Sequence, residues 1–166
     1  MWSKRTQDHD LRVLLSRIDG APEPTRDLVA ETLHHACPRL QGSLDLSDFV
    51  VRLIEAEAWV ELGLWLIGWE LPDWDVHQLC RGDHAWNCSI CVRGLARNWV
   101  DDVADFQHTS LSLAIFGALV DAQLRKVEGQ APSNVTVFRR REPVAPQLGT
   151  VAAWYADLLG LSPGRP

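Results

Sequence analysis

The apolar residues of this chain keep one spacing up to Pro72 and another beyond it, and that change restricts the fold more than any other feature. Before it, Leu11, Leu14, Leu15 and Ile18 recur at i, i+3, i+4 and i+7, one face of a helix that ends at Gly20. Thr25 can N-cap a second helix, with Leu28, Val29, Leu33 and Ala36 facing inward until Pro38 stops it. Ser43 or Asp45 offers a third cap, and Leu46, Phe49, Val50, Leu53 and Ile54 form the apolar face that follows. Residues 59–69 are apolar on every side, so spacing does not separate a buried helix from a buried strand there. We read helix up to about Leu66.

After Pro72 the period is two. Trp74 and Val76 alternate with Asp75 and His77, and Arg81-Gly82-Asp83-His84 reads as a hairpin connection. Trp86, Cys88, Ile90 and Val92 then alternate with Asn87, Ser89, Cys91 and Arg93, and a third strand is expected over 99–104. Thr109 or Ser110 caps a helix whose Leu111, Ala114, Ile115, Ala118, Leu119 and Ala122 share a face, ending at Gly129 and Pro132. The inward strand face needs that stripe to leave water, so Trp86, Ile90, Leu111, Ile115 and Leu119 are expected to pack together. A Pro-rich tail follows, with a short strand expected over 134–138 and a last helix over 151–159.

The expected fold is therefore α+β: a helical N-terminal half, a small antiparallel sheet of about three strands covered by helices, and a C-terminal helix. Residues 1–129 form the helix–sheet–helix domain, and 130–166 an extension whose terminal helix packs on it. The length of 166 suits one domain, and 46% hydrophobic against 23% charged residues is enough to build a core.

Charge narrows the partners. The formal net charge is −6, which argues against direct nucleic-acid binding and favours a basic partner. His9, Asp10 and Arg12 fall where a signal peptide needs an unbroken apolar run, and Glu57, Glu61 and Glu70 interrupt the most apolar stretch. A cytoplasmic location without membrane association is expected, and four cysteines then read as thiols or metal ligands before disulfides.

The order of pieces resembles a known group. A helix with Leu14-Leu15-Ser16-Arg17-Ile18 precedes the Thr25-Arg26-Asp27-Leu28 helix start, then Gly42-Ser43-Leu44-Asp45 opens another. Trp74-Asp75-Val76, a hairpin with Trp86, an acidic strand at 101–105 and His108-Thr109-Ser110-Leu111-Ser112-Leu113-Ala114-Ile115 follow. Over 11–123 this is similar to small phage and prophage proteins of the phage ABA-sandwich type. Asp27 stands where those proteins have Glu, and Ser110 where they have Pro. The resemblance implies a mobile-element origin and helix–sheet–helix layering, and carries no catalytic residues.

Several constellations could carry chemistry. Cys88-x2-Cys91 has zinc-knuckle spacing, and Cys80 with His84 could complete a Cys3His zinc site. The competing reading turns Cys88 inward with Trp86 and Ile90 as a small hydrophobe, and Cys91 to the opposite side. Cys37 beside His34 and His35 could suggest a nucleophile, but there is no glycine-rich oxyanion loop, and a surface histidine pair beside a helix-end cysteine fits better. Asp101, Asp102 and Asp105 could hold a cation or mimic nucleic-acid phosphate, against the plainer reading of a solvated strand face. Arg139-Arg140-Arg141 reads as a solvated turn. Of eight tryptophans, most are expected in the core, and any surplus on the surface would mark a protein interface.

These readings favour a non-enzymatic phage or mobile-element protein that binds and inhibits a host protein. The partner would present a basic surface, in a nucleic-acid-handling defence system of the CRISPR or restriction kind. Trp99, Asp101, Asp102 and Asp105 are the expected partner-binding residues, with no cofactor. The alternative is a zinc-binding structural or regulatory module built on Cys80, His84, Cys88 and Cys91, and a third class is an unrecognised hydrolase.

Overall fold

The computed structural model describes residues 4–43, 47–93 and 103–129. Their order is α1 (Lys4–Gly20), α2 (Arg26–Ala36), α3 (Pro38–Gln41), α4 (Ser47–Glu55), α5 (Trp59–Glu70), β1 (Trp74–Arg81), β2 (Trp86–Val92), β3 (Val103–His108) and α6 (Leu111–Gly129). The fold is α+β, with a helical N-terminal half and one antiparallel sheet of order β1-β2-β3. No described helix is long and apolar enough to cross a membrane.

Local chemistry explains most boundaries. Thr25 Oγ1 accepts from the Leu28 amide at 3.2 Å and starts α2, as its position suggested. α2 ends at Ala36, just before Pro38 as expected, and Pro38 itself opens α3 at the first helical position, where a missing amide costs nothing. α5 runs through to Glu70, past the expected stop near Leu66, because its Leu62, Gly63, Leu66 and Ile67 are all buried. β3 lies later than expected, at 103–108, and the tail elements expected over 134–138 and 151–159 fall outside the described residues.

Register assigns the two faces of the sheet. Val76 opposes Ile90 and Ile90 opposes Ala104, while Leu79, Cys88 and Phe106 line up across the strands. The ladder slips by one residue between Val76 and Gln78, which leaves His77 unpaired and keeps Val76 and Leu79 on one face. That inner face packs on α6. Gly117 makes the approach possible: a Cβ there would lie 2.1 Å from Phe106 Cδ1.

α6 is the centre of the core. The expected stripe is inward, with Ile115 and Leu119 fully buried beside Ile90, while Leu111 and Trp86 are half-buried. The other side of the helix is buried as well, at Leu113, Phe116 and Val120. α6 packs on β2 and β3, and also on α1 and α5, so the layers run sheet, α6, then helices. Gly63 lets α5 come close, since a Cβ there would sit 2.7 Å from Ile115 Cγ2.

Candidate functional site

The expected zinc ligands are not brought together. Cys88 is buried on the inner face opposite Leu79 and Phe106, whereas Cys91 opposes Asp75 and Cys80 opposes Asn87 on the outer face. Residues three apart on a strand point to opposite sides, so knuckle spacing here separates the two thiols. His84 lies exposed in the hairpin connection, and among the described residues no three His, Cys, Asp or Glu groups converge as a metal ion requires. Burial also pushes the Cys88 thiol up to about 12, with Asp105 adding to the effect.

Cys37 is no better placed as a nucleophile. It is fully buried where α2 meets α3, and desolvation, then the carboxylate of Glu70, hold its thiol well above the ordinary range. His34 and His35 meet edge to face and line a hollow of about 250 Å³ with Gln7, Asp10, Pro38 and Gln41. His35 Nδ1 is 4.0 Å from Asp10 Oδ2, beyond hydrogen-bonding distance.

Of the expected partner-binding residues, Trp99, Asp101 and Asp102 fall outside the described residues. Asp105 is exposed on β3, one of the two edge strands, on the outer face that also carries Gln78 and Gln107.

The tryptophans depart from expectation. Among those described, Trp74 is buried, but Trp59, Trp65, Trp69 and Trp86 are only partly covered. Phe49, expected on the inner face of its helix, is 38% exposed, whereas Val50 beside it is buried. Phe49, Trp65 and Trp69 form one continuous aromatic patch among the described residues. Helical geometry explains it: with Leu62, Gly63, Leu66, Ile67 and Glu70 turned inward, Glu61, Trp65 and Trp69 fall one above the other along the flank of α5. The rings of Trp65 and Trp69 are parallel within 4° with centroids 5.7 Å apart, and Phe49 from α4 meets Trp65 at 5.4 Å. At the far end the Arg39 guanidinium lies 5.6 Å from the Trp69 ring, and its Nη1 donates to the Trp69 carbonyl at 2.7 Å. Phe49, Trp65, Trp69 and Arg39 thus make one continuous ladder drawn from α3, α4 and α5.

A buried carboxylate fixes this arrangement. Glu70 is fully buried and accepts from the backbone amides of Arg39 at 3.1 Å and Leu40 at 2.7 Å, at the start of α3. Burial pushes its carboxyl above the usual range, while the two amides and the charges of Arg39 and Lys126 pull the other way. Glu70 therefore holds α3, and with it Arg39, against the end of α5. Sequence reading saw Glu70 only as an interruption of an apolar run. The i, i+4 spacing of Trp65 and Trp69 was the available signal for the ladder.

Comparison with known proteins finds no matching family model, no matching curated protein and no matching solved structure.

Proposed function

We propose that this chain is a non-enzymatic binding protein that recognises another polypeptide through the ladder of Phe49, Trp65, Trp69 and Arg39. The observation that supports this reading is the ladder itself. Tryptophan and arginine are the residues that most often dominate binding energy at interfaces, and here both stand partly exposed on a rigid helical frame. Stacked rings also lose little conformational freedom on binding, so contact area is gained at low entropic cost. Asp105, exposed on β3, and the net charge of −6 would speed encounter with a basic partner.

The finer part of the proposal is that the partner is a host protein. The resemblance to phage and prophage proteins supports it, with inhibition of a nucleic-acid-handling defence system as its concrete form. Two variants measured on a captured partner test the recognition reading. Phe49→Ala should speed dissociation, by a factor equivalent to roughly 2 kcal/mol for a central anchor. Asp105→Lys should slow association and flatten its salt dependence while leaving dissociation alone. Unchanged dissociation in Phe49→Ala would remove the ladder from the interface.

A further inference from the structure

We propose that the hollow between α1, α2 and α3 takes the guanidinium of a single arginine side chain, presented by the polypeptide that the ladder recognises. The inference rests on that recognition for the source of the arginine, and adds a second contact with its own chemistry.

Charge selects the ligand. The hollow of about 250 Å³ lined by Asp10, His34, His35 and Gln41 adjoins one of about 190 Å³, which shares Asp10 and His35 and adds Val13, Arg17 and Glu31. Glu31 is taken, because Arg17 donates to its carboxylate. Asp10 is not. Among the described residues it accepts no hydrogen bond, and the His35 Nδ1 beside it stops at 4.0 Å. Its side chain is only 26% exposed, so water reaches it incompletely, and a cation that also donates hydrogen bonds stabilises it most. Gln41 adds to this preference. Its Nε2 donates to the carbonyls of Leu33 at 3.3 Å and His34 at 2.5 Å, which fixes the amide orientation and leaves Oε1, an acceptor, to offer a ligand. A carboxylate or phosphate would meet the charge of Asp10, and for a metal ion no three ligating groups converge among the described residues.

Shape and size narrow the cation. The rings of His34 and His35 belong to the same wall, set at 82° to each other, and a planar guanidinium stacks on such rings where a compact ammonium does not. Pockets for drug-sized ligands run to roughly 300–1,000 Å³, so this hollow suits one side chain. Val13, 47% exposed in the adjoining hollow, gives the methylene stem of the arginine an apolar surface to lie on.

Position ties the hollow to the ladder. Pro38 and Gln41 of α3 line the hollow, while Arg39 between them reaches Trp69, so a single helix about 10 Å across separates the two. A polypeptide on the ladder needs only to cross α3 to bring an arginine to Asp10, and the net charge of −6 favours a partner that carries one.

Solution NMR of the full chain tests the site without the partner. Nα-acetyl-arginine methylamide should shift the ring resonances of His35 saturably at millimolar concentration, and its citrulline counterpart, of the same shape without the charge, should not. Asp10→Asn keeps the shape of the side chain and should weaken arginine binding at least about tenfold. Absent shifts, equal shifts from citrulline, or equal arginine binding by Asp10→Asn would each overturn the guanidinium site, whatever the partner does. On the captured partner, Asp10→Asn should also speed dissociation at least about tenfold. If the arginine compound binds but partner dissociation does not change, the hollow takes a free guanidinium compound and the partner's arginine is overturned, with ladder recognition still judged by Phe49→Ala. Loss of the Phe49→Ala effect alone would remove the ladder and leave the guanidinium site standing.

Discussion

α5 reads in sequence as apolar on every side and α6 as a single apolar stripe, yet it is α6 that the molecule buries more completely. α6 carries small residues at Ala114, Gly117, Ala118 and Ala122, so the sheet and the other helices close on it from both sides. α5 carries Trp65 and Trp69 on one flank, where they stack on each other and are covered only in part, by Phe49 of α4 at Trp65 and by Arg39 of α3 at Trp69. Apolar character alone does not make a core. Backbone must also come close enough to exclude water, and that depends on the small residues.

The contrast can be broken most sharply in α6. Ile115→Ala, at a fully buried position, should cost about 2–5 kcal/mol in urea unfolding. Gly117→Ala should follow at about 1–3 kcal/mol, because the new methyl group collides with the Phe106 ring rather than with solvent. A neutral Gly117→Ala would mean that the sheet does not pack as closely on α6 as described.

The next effect lies at the join between the ladder and the core. Glu70→Ala leaves the amides of Arg39 and Leu40 without their acceptor and should cost about 1–3 kcal/mol. Glu70 also gives a pH signature. Its carboxyl binds a proton more tightly in the folded chain than in the unfolded one, so its contribution is fully present below the unfolded value and is lost as pH rises through the raised folded value. Removing Glu70 should flatten that part of the stability profile, which unfolding at a series of pH values will show. Asp75 gives the opposite sign. Arg93 donates to its carboxylate at 2.7 and 2.9 Å and holds it below the usual range, so this contribution exists above the unfolded value and disappears as pH falls through the lowered folded one. The pair is well exposed, so Asp75→Asn should cost no more than about 0.5 kcal/mol.

Much of the fold was legible because local chemistry and tertiary packing agree. Thr25 caps where its hydroxyl suggested, and the alternation from Trp86 to Val92 survives as β2 with Cys88 inward. β3 was placed too early, since its inner residues are Ala104, Phe106 and His108, and a small residue and a histidine do not announce a strand. His108 Nδ1 instead accepts from the Ser110 amide and shapes the turn into α6. The ladder was not legible as a surface because Phe49 and the tryptophans carry the same apolar signal as core residues. Which side they face is decided by α4 and α3, and Arg39 reaches Trp69 from thirty residues away in sequence.

The most informative change in stability lies at Phe49. Phe49→Ala removes a large aromatic ring from a helix whose next residue, Val50, is buried. If the ring belongs to the surface ladder and not to the core, the variant should lose little more than its contact with Trp65, about 0.5–1.5 kcal/mol, beside the 2–5 kcal/mol expected for Ile115→Ala. A loss for Phe49→Ala as large as that for Ile115→Ala would mean that the ladder is core, and that α5 and α6 do not differ in the way described.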